Sequence, residues 1–176
     1  ALSNIQTLSI IEMGVSERNL SLLSNVKTLK LTGNMWNNIE NVSMLGHIHT
    51  LDLSGCYRIK DVSALGYVHT LDLSRCYLID DVSALGNVYN LNLSDCHQIE
   101  DVSALGNVHN LNLKGCYKIM DISALGKIHT LNLSNCHQIE DVSMLGNVNT
   151  LDITGCDRIK NISALKSVPN LKYNFE

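Results

Sequence analysis

Short runs of strict alternation, such as T-L-D-L-S, recur along this chain every twenty residues. In residues 70–74 the alternation sends Leu71 and Leu73 one way and Thr70, Asp72 and Ser74 the other, which predicts a half-buried strand. Each run is followed, after an isoleucine, by D-V-S-A-L-G or a close variant. This segment opens on Asn41, Asp61, Asp81, Asp101, Asp121, Asp141 or Asn161. Asp and Asn favour helix starts because their oxygens accept free N–H groups, so a short turn or 3₁₀ segment is predicted there. Gly46, Gly66, Gly86, Gly106, Gly126 and Gly146 close it, where a left-handed backbone is expected.

Aligned on their cysteines, the units are near copies. VHTLDLSRCYLIDDVSALGN (68–87), VYNLNLSDCHQIEDVSALGN (88–107), VHNLNLKGCYKIMDISALGK (108–127) and IHTLNLSNCHQIEDVSMLGN (128–147) are the core of the array. Units 48–67 and 148–167 flank them; 26–47 carries two extra residues after Asn34, 5–25 fits loosely, and 168–176 is a partial unit. A fixed period of this length is the mark of a solenoid, in which stacking buries apolar faces that no single unit could bury alone. One domain over 1–176 is expected.

The phrase L-x-x-L-x-L-x-x-N/C followed by x-x-I resembles the leucine-rich repeat. The C-x-x-I-x-D element is similar to cysteine-containing repeats of ubiquitin-ligase adaptors. The short I-x-D-V-S-A-L return resembles internalin-type bacterial surface repeats, and the whole phrase resembles repeats of large amoeba-infecting viruses. The resemblance implies an α/β-type leucine-rich-repeat solenoid. It would be a right-handed superhelix with a parallel β-sheet on the concave face and short turns or 3₁₀ segments on the convex face.

Cys56, Cys76, Cys96, Cys116, Cys136 and Cys156 fall in the inward slot that Asn34 fills one unit earlier. Stacked at about 4.8 Å with parallel side-chain vectors, neighbouring cysteines lie outside the roughly 3.5–4.5 Å Cβ separation of a disulfide. A straight ladder offers one thiol per level where zinc wants four convergent ligands. Burial opposes the lowered pKa that catalysis requires. A packed ladder of reduced thiols is the expectation, and with it a reducing, intracellular location, cytoplasmic, or host cytoplasm for a viral or effector chain. N-x-S sequons at Asn92 and Asn132 would put glycans on the concave face of a secreted protein, which points the same way.

A net charge of −4 gives no basic footprint for nucleic acid or anionic lipid. No apolar run approaches the roughly 18 residues of a membrane helix, and ALSNIQTLSI lacks the features of a signal peptide. Serine, histidine and aspartate all recur, but His69 and Ser74 are five strand positions apart, roughly 16 Å, too far for a base and its nucleophile. No enzyme, metal or cofactor is expected. His49 and His69, and His109 and His129, are vertical neighbours that could hold a transition metal; the alternative is a row of stacked rings, interrupted by Tyr89.

What remains is a field of short polar groups, of the kind solenoids use for binding. The expected partner surface is the concave face, with Asp52, Asp72, Asn92, Asn112, Asn132 and Asp152, and a rim of Tyr57, Tyr77, His97, Tyr117 and His137. Departures from the repeated phrase add Arg75, Asp95 and Lys114. Met35 and Trp36, in the insertion, form either an exposed anchor loop or a seal over the first unit. The expected function is non-catalytic binding of a partner protein, by a monomer or a weak dimer through an open sheet edge. A self-assembling structural or spacer element is the second reading.

Overall fold

In the computed structural model, residues 6–11, 20, 23, 26–32 and 39–174 are described. Nine strands form one parallel sheet in sequence order. They are β1 (Thr7–Ile11), β2 (Thr28–Thr32), β3 (Thr50–Asp52), β4 (Thr70–Asp72), β5 (Asn90–Asn92), β6 (Asn110–Asn112), β7 (Thr130–Asn132), β8 (Thr150–Asp152) and β9 (Asn170–Lys172). Between them run seven 3₁₀ turns among the described residues, from Ser43–Leu45 to Ser163–Ser167. The Met35–Trp36 insertion lies outside the described residues.

Register is in phase throughout: Thr70 pairs with Asn90, Leu71 with Leu91 and Asp72 with Asn92, and the same offset of one unit holds along β3 to β9. Backbone pairing continues beyond the three-residue strands at both ends. His69 N–H donates to His49 O at 3.1 Å, and Arg75 N–H to Ser94 O at 2.8 Å. Each unit thus zips to the next along most of its sheet side, which satisfies backbone groups that would otherwise be stranded at a buried layer.

Inside, each cysteine-containing turn contributes seven apolar side chains. In the unit starting at Leu51 they are Leu51, Leu53, Cys56, Ile59, Val62, Leu65 and Val68, all buried. Burying each aliphatic side chain is worth about 1.5–3 kcal/mol, a gain available only when the units above and below are in place.

The acidic residues expected to open the 3₁₀ turns do so: Asp61 Oδ1 accepts the Ser63 N–H at 2.9 Å, and Asp81, Asp101, Asp121 and Asp141 repeat the bond. The expectation for the closing glycines is overturned. Gly46, Gly66 and Gly126 are right-handed, with φ near −65°, and none of the six has positive φ. The reason for glycine is close approach. A Cβ on Gly86 would fall within 3.0 Å of the Ala104 carbonyl oxygen, and the other five meet the next unit's backbone in the same way.

Left-handed backbone occurs elsewhere, at the residue before each cysteine. Gly55, Gly115 and Gly155 have φ of 76°, 71° and 75°, and Arg75, Asp95 and Asn135 take the same slot at 61°, 61° and 62°. Here the chain leaves the sheet and turns its cysteine inward.

Candidate functional site: the sheet face and its aromatic margins

The outward side chains of the strands form ladders one unit apart. Asp72 uses one carboxylate oxygen locally, with Oδ1 accepting the Ser74 N–H at 2.8 Å, and the other across the sheet, with Oδ2 accepting from Asn92 Nδ2 at 2.9 Å. Asp52, Asn92, Asn112, Asn132 and Asp152 each accept the N–H two residues on in the same manner. These six residues, expected as partner contacts, therefore also terminate the strands. Their local role escaped sequence reasoning, although Asx turns are what Asp and Asn do at chain reversals. Lys30 Nζ pairs with Asp52 at 2.9 Å and Lys172 Nζ with Asp152 at 3.1 Å, whereas Asp72 makes no direct ion pair among the described residues and feels the Lys30 charge from farther away.

Two aromatic ladders border the sheet. At its entrance, His49, His69, Tyr89, His109 and His129 stack in one continuous column, with ring centroids 4.6, 5.0, 4.5 and 4.7 Å apart. Tyr89 therefore continues the row it was expected to interrupt. Nδ1 of His49, His69 and His129 each lies 3.2–3.3 Å from the hydroxyl of the following threonine. Stacked imidazoles point their lone pairs in parallel, whereas a chelated metal needs nitrogens converging on it at about 2.0–2.1 Å. At the exit side, Tyr57, Tyr77, His97 and Tyr117 form the second column, at 5.8, 5.4 and 4.3 Å. His97 Nδ1 is anchored 3.2 Å from Gly115 O, while His137 leaves the column's pattern to meet Asp157 Oδ2 at 3.2 Å.

Beneath the exit column the six cysteines are fully buried and free. Cys96, Cys116, Cys136 and Cys156 each donate Sγ–H at 3.1 Å to the carbonyl of the leucine just past the strand of the preceding unit. Burial pushes the thiols of Cys56, Cys96 and Cys136 up to about 12, and those of Cys76 and Cys116 higher still. The reduced-ladder expectation holds, with a partner for each thiol.

Two depressions result. A shallow trough of about 470 Å³ runs over the strands, lined by Thr70, Asp72, Asn92, Asn112 and Asn132 among others. Beside it, where the chain leaves the sheet, a groove of about 580 Å³ gathers Ser54, Ser74, Ser94, Gly55, Tyr57, Tyr77, Arg75, Asp95, Asn112 and Lys114. Six residues singled out from the sequence meet in this groove. Tyr117, His97, His137 and Asp152 do not line it.

No protein-family model matches the chain, and no curated protein sequence does. Solved structures do match its fold. An internalin of Listeria monocytogenes, InlF, superposes with a TM-score of 0.77 at 24% identity over 99% of this chain; the chain spans 57% of that protein's length. Internalin C2 (InlC2) of the same organism gives 0.73 at 24% identity, covering 98% of this chain and 82% of the other. The leucine-rich repeat domain of the type III effector XCV3220 (XopL) gives 0.67 at 17%, covering 98% and 70%. At these identities the likeness is one of fold, and the fold is the leucine-rich-repeat solenoid.

Proposed function

We propose that this chain is one non-catalytic binding domain that holds a partner protein on the concave sheet face, chiefly along the groove beneath Tyr57 and Tyr77. The observation that carries this is the meeting of Tyr57, Tyr77, Arg75, Asp95, Asn112 and Lys114 in one depression. Tyrosine and arginine are the side chains that most often anchor interfaces. They project here from a hydrogen-bonded sheet margin, so little conformational freedom is lost on binding. Further support comes from the general use of solenoid faces as extended docking surfaces. The buried, unpaired cysteines favour a reducing, intracellular compartment, and host cytoplasm would suit a viral or effector origin.

The test is capture from the source cell's lysate by immobilised chain, run beside a variant carrying Asp72→Arg, Asn92→Arg and Tyr77→Ala. A protein held by the parent and lost by the folded variant supports the reading. Equal capture by both removes it. Growth of particle size with concentration, measured by sedimentation, would favour the self-assembling spacer instead.

A further inference from the structure

The groove carries a charge pattern opposite to that of the chain. The whole molecule is acidic, at −4, yet the charged residues lining the groove are Arg75, Asp95 and Lys114, a local excess of one positive charge. Lys114 replaces the serine found at this slot as Ser54, Ser74, Ser94 and Ser134. It is exposed, and among the described residues its ammonium group has no ion-pair partner. Arg75 is engaged only loosely, its Nε 3.7 Å from Asp95 Oδ2, with two thirds of its side chain in solvent.

Arg75 also occupies a backbone position that does not suit it. At φ 61° it takes the left-handed slot that glycine or asparagine fills in four of the other five units. A long side chain there costs roughly the strain of a non-glycine left-handed residue, and such strain concentrates where side chains serve ligands. The return is a guanidinium over the mouth of the groove, set beside the Tyr77 column.

From these features we infer that the groove takes an extended acidic peptide segment of the partner, with two carboxylates three residues apart. The proposal rests on the binding reading above and names the chemistry of the occupant. Arg75 and Lys114 sit two units apart, about 10 Å along the axis at 4.8 Å per level. Residues i and i+3 of an extended peptide are separated by about 10 Å as well, at 3.3 Å per residue. Asp95 lies between the two cations and selects against a third carboxylate in the middle. Ser54, Ser74 and Ser94 supply hydroxyls for the peptide backbone, and Tyr57 and Tyr77 form the wall. A nucleic-acid strand fits less well, because the surrounding molecule carries net negative charge.

The repeat itself supplies benign substitutions. Lys114→Ser installs the residue of the neighbouring units, and Arg75→Gly relieves a left-handed strain. Asp95→Asn reproduces Asn135, whose side chain lies over Gly155 as that of Asp95 lies over Gly115. The experiment is a titration of the full chain with a soluble peptide, Gly-Ser-Glu-Ser-Thr-Glu-Ser-Gly, followed by backbone amide shifts in NMR. Its controls are the same peptide with both Glu changed to Gln, and an oligothymidylate of equal length. Saturable shifts are expected at residues 54–57, 74–77, 94–95 and 114. Lys114→Ser and Arg75→Gly should each weaken binding about threefold to fivefold, and Asp95→Asn should tighten it about threefold, as expected for partly exposed charge pairs.

A tightening cannot come from misfolding. Binding of the Gln peptide as strong as that of the Glu peptide, stronger binding of the oligothymidylate, shifts off the groove, or no saturable shift would each overturn the proposal. If a lysate partner still depends on Tyr77 while the acidic peptide fails, the binding reading stands and the acidic occupant falls.

Discussion

Cys96 Sγ lies 3.1 Å from the carbonyl oxygen of Leu73 and donates its thiol hydrogen there, joining the turn of one unit to the residue that follows the strand of the unit before it. The same bond recurs between Cys116 and Leu93, and between Cys136 and Leu113. A weak donor is enough, because the acceptor would otherwise have a lone pair facing an apolar core. The ladder therefore serves two ends, filling volume and capping carbonyls at the point where the chain turns inward.

Thiol chemistry should report this directly. An aromatic disulfide reagent at pH 8 is expected to find no reactive thiol in the folded protein and six after unfolding in denaturant. Burial raises Cys56, Cys96 and Cys136 to about 12, while an unfolded thiol ionises near 8.5. Groups held protonated by the fold stabilise it fully below about pH 8.5, and that contribution is lost as pH rises toward 12. Melting temperature should fall steeply above about pH 9, and the Cys96→Ala, Cys116→Ala double variant should lose it less steeply.

Gly86→Ala tests the close approach of successive 3₁₀ turns. The new Cβ would press on the Ala104 carbonyl, a backbone atom that cannot swing away. Overpacking of this kind is expected to cost about 2–3 kcal/mol, measured by urea unfolding. Ala84→Gly, two residues earlier in the same segment, should cost only about 1 kcal/mol, the intrinsic penalty of glycine. Equal effects would mean that the turns can separate without loss.

Arg75→Gly should stabilise the fold. Left-handed strain of about 1–2 kcal/mol is relieved, and the added freedom of glycine in the unfolded chain offsets about 0.5–1 kcal/mol. A net gain of about 0.5–1 kcal/mol is expected in the unfolding midpoint. Gly115→Arg should do the opposite, because it puts a non-glycine residue at φ 71° and makes the Asp95 carboxylate swing aside.

Acid should loosen the outer turns first. The carboxyls of Asp81, Asp101, Asp121 and Asp141 are held below the usual range by the backbone N–H and then the hydroxyl of the serine two residues on; for Asp61 the hydroxyl comes first. A lowered folded pKa gives stability that is present above about pH 4 and lost as pH falls through the folded value. Protection of the Ser83 and Ser103 amides against hydrogen exchange, relative to the intrinsic rate at each pH, is expected to fall below pH 4 before that of the strand amides of Leu91 and Leu111. Simultaneous exposure of both sets would show that the turns have no independent opening.

Much of this architecture was legible in the residues. Leu71 and Leu73 point inward, Asp81 opens a turn and Cys76 sits in the core, as the spacing and alternation implied. The closing glycines were misread, because glycine is needed both for left-handed backbone and for close contact, and one residue letter does not say which. Tyr89 was misread for a related reason: the alignment shows a break in residue type, whereas a stack needs only a planar ring at the right height. The second use of Asp72, as a strand terminator, was invisible until Ser74 N–H lay 2.8 Å from its carboxylate.

The twenty-residue period and the alternation within it determined by themselves that the chain is a solenoid, and which side chains face its core. Those properties are local, since period two and the turn residues act over a few bonds. Only the tertiary structure decided what meets across units: that Arg75, Asp95 and Lys114 share one groove with Tyr57 and Tyr77, and that two aromatic columns border the sheet. Contacts between residues twenty or forty apart depend on the stacking distance and on where each loop leaves the sheet. Those quantities are set by the packing of the whole array.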